Sequence, residues 1–262
     1  MSYIGYTGVI SAYCSMIKDP RILEVGVDRG QTLLPLVHNV GLLSRNFKYV
    51  GIDVRQDITL LEQLQAMKIP LYHNTEESKQ GMMSFNKNSE WNVAYIINNS
   101  LTILPMLEGL KFDVIMIDGD HNYATVSKEL KYVEKLCYDS TIIVIDDYNG
   151  RWSVKDLHYS ERETHEGNDF LEKTDDIKGK TGVKTAVDDW LKESPHWKMI
   201  TIPEHEPAIL TKNHVNLSLK TNSPWLYDSG LYYESQLGLG RFVEDAATPL
   251  SQGKPLAVDF IP

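Results

Sequence analysis

Arg21-Ile-Leu-Glu-Val-Gly-Val-Asp-Arg-Gly-Gln-Thr32 is a short apolar run that breaks at glycines and opens into a helical pattern. A β-branched run with little alternation is how a strand buried on both faces reads. Gly26 and Gly30 supply positive φ and close backbone approach at a strand-to-helix turn. A helix is expected from near Thr32, and the free N–H groups at its start suit an anionic group. Two glycines four apart are a weak signal alone, since a plain strand–turn–helix reads the same way.

Working outward, the same kind of run recurs at Tyr49–Asp53, Val93–Asn98, Phe112–Asp118 and Thr141–Asp146. Lys198–Ile202 and Ala208–Thr211 read as two more strands, with Pro203–Pro207 a tight antiparallel connection. Helical stripes lie between them: Ile58, Leu61 and Leu64; Val126, Leu130, Val133 and Cys137; Ala186, Val187, Trp190 and Leu191. Alternating β and α with a closing hairpin is a doubly wound, Rossmann-like α/β layout. Three stretches stand outside the alternation. Residues 70–92 are polar, with room for a short extra helix. Residues 151–180 are dense in charge and read as an insertion or lid. Residues 213–262 hold Trp225, Tyr227, Tyr232, Tyr233 and Phe242 amid Gly, Ser and Pro. They read as a C-terminal extension, either docked on a domain of residues 1–212 or an arm that packs on a second subunit to make a homodimer.

The chain has 262 residues and a formal charge of −10 with His neutral. Such a surface repels phosphate backbones, so nucleic acid is a poor partner. No run approaches roughly 18 consecutive apolar residues, so no membrane span is expected. The first residues lack the basic start and apolar stretch of a signal peptide. Cys14 and Cys137 read as free thiols in a reducing cytoplasm, where localisation is expected.

The glycine turn favours one cofactor class. A dinucleotide site prefers G-x-G-x-x-G, but Asp28 stands at the middle glycine position. A carboxylate there repels a pyrophosphate. S-adenosylmethionine (SAM) has no phosphate and a cationic sulfonium, and its carboxylate can still use the helix N-terminus. Asp53 closes the second strand about 25 residues downstream, where an acid accepts bonds from ribose hydroxyls. Asn98-Asn99-Ser100 closes the third run. Ser100 is expected to cap the next helix, with Pro105 near its first turn, and Asn99 to reach the adenine edge.

Ile117-Asp118-Gly119-Asp120-His121 and Ile145-Asp146-Asp147-Tyr148 end two further strands. Neighbouring strands lie roughly 5 Å apart, so four carboxylates would gather at one sheet edge. That crowding calls for a cation, a shared proton or a basic partner. Hard oxygen ligands suit Mg²⁺, Ca²⁺ or Mn²⁺. Helix capping by Asp120 or Asp147 is the plainer alternative. His121 reads as a proton shuttle, a ligand, or a turn histidine bonded to backbone.

Glu24-x-Gly26-x-x-x-Gly30, Asp53, Ile117-Asp-Gly-Asp-His121 and Ile145-Asp-Asp-Tyr148 together resemble class I SAM-dependent methyltransferases. The two acidic motifs, with Gly182–Trp190, look most like the metal-dependent sugar O-methyltransferases of the macrocin and novobiocin type. The resemblance implies a seven-stranded, mostly parallel sheet whose last strand is antiparallel. It implies that SAM, or its product S-adenosylhomocysteine (SAH), is held by Glu24, Gly26, Gly30, Asp53, Asn99, Ser100 and Asp118. It implies Mg²⁺ or a similar ion on Asp118, Asp146 and Asp147, with Asp120 as general base beside His121. The expected activity is O-methylation of a small-molecule hydroxyl on a sugar, phenol or diol. A SAM-binding protein of this fold without turnover, or with other SAM-site chemistry, is the alternative. A pocket walled by Trp152, Tyr148 and the 151–180 insertion is expected to select the substrate.

Overall fold

The computed structural model describes residues 4–43, 46–74, 91–157, 179–201, 206–212, 216–218 and 259–261. Ten strands are present among them: β1 (Arg21–Val25), β2 (Lys48–Asp53), β3 (Leu71–Asn74), β4 (Val93–Ile97), β5 (Phe112–Ile117), β6 (Cys137–Ile145), β7 (Trp197–Thr201), β8 (Ala208–Lys212), β9 (Asn216–Ser218) and β10 (Asp259–Ile261). The helices are α1 (Ile4–Cys14), α2 (Leu33–Leu43), α3 (Ile58–Ala66), α4 (Ser100–Met106), α5 (Tyr123–Lys135) and α6 (Val183–Glu193). Eight strands form one sheet in the order β3-β4-β2-β1-β5-β6-β8-β7, and β9 pairs with β10 as a separate ribbon. β8 runs antiparallel to both its neighbours, and the other contiguous pairs are parallel.

Both faces of the sheet are covered, which explains the unbroken apolar runs. β4 and β5 are buried at every position. Residues such as Leu23, Val50 and Ile115 pack with α4, α5 and α6. Their strand neighbours Ile22, Tyr49 and Val114 pack with α1, α2 and α3 on the opposite face.

Several expectations are corrected. The sheet has eight strands, because β3 occupies part of the stretch assigned to an extra helix. An edge strand needs one neighbour only, and Leu-Tyr-His-Asn carries little pattern; its His73 ring stacks on Tyr95 at 5.8 Å. Cys137 belongs to β6, which starts before Thr141 because a bulge at Phe112/Val114 lengthens the pairing. The buried stripe of α3 is Leu60, Leu61 and Leu64; Ile58 is 67% exposed. Asn99, not Ser100, caps α4, its Oδ1 accepting from Leu101 N at 2.8 Å. Pro105 sits near the end of that helix. The insertion and the extension fall mostly outside the described residues. No helix among those described is long and apolar enough to cross a membrane.

Candidate active site

The chain winds outward in two directions from β1, which pairs with β2 on one side and β5 on the other. Ligands of open α/β sheets lie at such a reversal, outside the carboxyl ends of the strands. Here those ends bring together Gly26, Asp53, Asn98, Asp118 and Asp146. Asp53 ends β2, and the other four each continue a ladder by one backbone bond: Gly26 N to Ile52 O, Asn98 N to Asp53 O, Asp118 N to Val25 O and Asp146 N to Ile117 O.

Gly26 has φ +85°, and a Cβ on it would lie 2.0 Å from the carbonyl oxygen of Asp118. No side chain fits, so the turn crosses the end of β5 at backbone contact. The next residues are tied down by Asp53. Its Oδ2 accepts from Val27 N at 2.8 Å and Asp28 N at 2.7 Å, and its Oδ1 from Arg55 N at 2.8 Å. Asp53 therefore splints the glycine turn to β2, a role its spacing alone does not reveal. Burial raises its pKa, and those three donors counter the rise. Asp28 takes φ 44°, and its exposed carboxylate lies 3.5 Å from Arg55. Asp53→Ala is expected to cost about 1–3 kcal/mol of stability for the orphaned donors. It should also weaken SAH binding, read by thermal shift and calorimetry on one sample. A variant with wild-type SAH affinity would remove Asp53 and the turn it holds from the cofactor site.

Glu24 lies on β1, 1% exposed. Its partner across the strand is Gly51, and the Tyr49 hydroxyl donates to its Oε2. Burial pushes Glu24 up to about 8, with the Tyr49 bond opposing and Asp53 adding. It forms part of the buried layer under the turn.

The acidic motifs meet as expected at the ends of β5 and β6. One ligand atom each from Asp118, His121 and Asp146 lies within 4.8 Å of the others. His121 stands between carboxylates, Nε2 3.5 Å from Asp118 Oδ1 and Nδ1 3.5 Å from Asp147 Oδ2. Burial and the adjacent Asp146 carboxyl raise Asp118 well above the usual carboxylate range. Asp146 is 3% exposed, and its Oδ1 has no hydrogen-bond partner among the described residues. Asp120 accepts from the Thr125 hydroxyl, which aims the acid from the start of α5.

Asp147 has φ 54° and a second task. Its carboxylate accepts from the backbone N–H groups of Arg151 and Trp152, and a Cβ on Gly150 would sit 1.9 Å from its Oδ1. The loop that follows is thus folded back on the acidic pair. Asp156 anchors its far end, Oδ1 accepting from Tyr123 N at 2.9 Å and Gly182 N at 2.7 Å. Neither α5 nor α6 has a side-chain cap of its own, so one carboxylate serves two helix starts. Trp152 lies half-buried, with the Arg151 guanidinium 4.8 Å and the Lys155 amine 5.2 Å from its ring. Tyr148 is no pocket wall. It is buried, its hydroxyl donating to Asp188 at 2.7 Å and accepting from Lys184 at 2.7 Å.

Tyr49, Glu129, Gly150 and Asp156 were not legible as site residues. One signal existed: Glu129 falls three residues after Val126, on the apolar stripe of α5, where an acid is out of place.

Residues 23–148 match the family described as a methyltransferase domain. With the Rossmann-like sheet, this match marks residues 23–148 as a methyltransferase domain. Among solved structures, a TDP-rhamnose 3′-O-methyltransferase of calicheamicin biosynthesis is 12% identical, with TM-score 0.48 over 79% of this chain and 77% of that one. The O-methyltransferase TomG from Streptomyces achromogenes, in complex with SAM, is 13% identical, with TM-score 0.44 over 79% of each chain. The mycinamycin methyltransferase MycE, in complex with Mg, SAH and mycinamycin VI, is 13% identical, with TM-score 0.46 over 79% of this chain and 48% of that one. No curated protein matches.

Proposed function

We propose that this methyltransferase is divalent-metal-dependent and transfers the methyl group of SAM to a hydroxyl of a small molecule, a sugar or a phenol with a vicinal diol. The observation that carries this reading is the Asp118–His121–Asp146 cluster, in which buried carboxyls abut and Asp146 Oδ1 is left without a partner. Like charges so placed favour a cation or a retained proton. The donor chemistry fits Mg²⁺: Asp118, Asp146 and Asp147 make an all-oxygen set. A divalent ion held there would lower the pKa of a bound hydroxyl and orient its oxygen.

The chain's own residues supply the rest. The glycine turn, splinted by Asp53, and the Asn99–Ser100 edge hold the cofactor beside Asp118. Asp120, aimed by Thr125, takes the hydroxyl proton, and His121 stands between the flanking carboxylates. Positioning of the two reactants accounts for most of the acceleration. Trp152, on its anchored loop, offers an aromatic face to the acceptor ring.

Calorimetry and methyl-transfer assays with catechol test this reading. SAH should bind with or without Mg²⁺, whereas transfer should require Mg²⁺ and stop with EDTA. Transfer undiminished by EDTA would eliminate the catalytic metal.

A further inference from the structure

Glu129 is fully buried in the middle of α5. An ionisable group with no exposure demands a partner. Its Oε1 lies 2.6 Å from Ser100 Oγ, at the start of α4. Its Oε2 is buried with no hydrogen-bond partner among the described residues. Gly119 lies close by, since a Cβ there would be 3.9 Å from Glu129 Oε1. The carboxyl thus sits beneath two turns of the site at once, the acidic turn after β5 and the Asn99–Ser100 edge.

A serine hydroxyl has one proton and two acceptor lone pairs, so its inner bond decides what it offers outward. Against an ionised Glu129, Ser100 must donate inward and presents only lone pairs to the surface. Against a neutral Glu129, the acid proton has no acceptor at Oε2 and settles on Oε1. Glu129 then donates to Ser100, and the serine proton turns outward. The empty Oε2 is left as an under-satisfied carbonyl oxygen, which interiors tolerate better than an orphaned donor.

We propose that Glu129 is a positioning residue that, as a neutral carboxylic acid, turns the Ser100 hydroxyl outward as a hydrogen-bond donor to a ring nitrogen of the cofactor's adenine. The proposal rests on the reading that SAM lies along the Asn99–Ser100 edge. Burial supports the neutral form, raising Glu129 to about 8, with the Ser100 bond opposing and Asp120 adding. Asp120 faces it from the turn after β5. Ser100 faces it from α4, and β5 packs against α5 with Phe112, Ile115 and Ile117. On the α6 side, α5 meets its neighbour through the Lys131–Glu193 and Glu134–His196 pairs.

The sign follows from the raised pKa. Below it the acid is neutral and Ser100 donates to the cofactor. As pH rises through it, Glu129 ionises, Ser100 turns inward and the cofactor loses a donor. The test is calorimetry of the full chain with SAH from pH 6.5 to 9.5. Wild type should bind with constant affinity near pH 7 and weaken by about tenfold by pH 9.5, one pKa unit of coupling. Glu129→Gln keeps a donor at the same place and cannot ionise, so it should match wild type at pH 7 and stay flat. Ser100→Ala should bind more weakly at pH 6.5 and also stay flat. A flat wild-type profile, or a fall shared by Glu129→Gln, overturns the proposal. Wild-type affinity in Ser100→Ala overturns the placement of SAM on this edge, and the proposal with it.

Discussion

Asp146→Asn should abolish Mg²⁺ binding and methyl transfer, leave SAH affinity within about twofold, and raise the melting temperature of the metal-free protein. The three effects share one cause. Asp146 is nearly inaccessible and stands against Asp118, whose carboxyl is already raised well above its ordinary range by burial and by Asp146. An amide removes that repulsion without changing shape. The same change deletes a charged oxygen from the proposed cation set, so metal and activity should be lost together. Gain of stability with loss of function is the mark of a site held under strain. The proposed SAH contacts, at Gly26, Asp53 and the Asn99–Ser100 edge, lie at the ends of β1, β2 and β4 and should persist. Thermal shift with and without Mg²⁺ measures the first and third effects, and calorimetry the second. A variant melting lower than wild type without metal, yet responding to Mg²⁺ as wild type does, would show that Asp146 is structural.

Gly26→Ala should have the largest effect on folding. The residue needs φ +85°, which L side chains rarely adopt, and the added carbon would lie 2.0 Å from the Asp118 carbonyl oxygen and 2.7 Å from Gly119 Cα. These neighbours are backbone, so nothing flexible can yield. Backbone strain of about 1–3 kcal/mol adds to overpacking of about 1–3 kcal/mol. Gly109 is the control, with φ +98° and nothing within 4 Å of an added carbon. Gly109→Ala should show the strain alone. In chemical denaturation, Gly26→Ala should lose at least about 1 kcal/mol more than the control, and the folded remainder should not bind SAH. Equal losses in the two variants would mean that the turn does not cross β5 at backbone contact.

Some of the site was legible because its chemistry sits at strand ends. Asp118, Asp120, His121, Asp146 and Asp147 each follow an apolar run, and runs of that kind become parallel strands whose carboxyl ends share an edge. Spacing could not assign each acid its task. Asp53 reads as a ribose ligand, yet its three donors are backbone amides of the turn and of Arg55. Asp147 reads as a ligand, yet it also folds the following loop onto itself. Tyr148 reads as a pocket wall and turns into α6.

The order of the seven strands β1, β2, β4, β5, β6, β7 and β8 with the helices between them, the doubly wound class and the carboxyl-edge location were determined by the sequence itself. They depend on local periodicity and on glycine's freedom, which neighbouring residues carry. Only the tertiary structure decided the eighth strand, the capping of two helices by Asp156 and the burial of Glu129 against Ser100. These join residues 22 to 33 positions apart, such as Leu71 with Val93 and Asp156 with Gly182 and Tyr123. Their partners are backbone amides or small hydroxyls that leave no pattern in a sequence. Long-range hydrogen bonds of this kind form only after the apolar stripes have packed, because packing is what removes the water that would otherwise satisfy them.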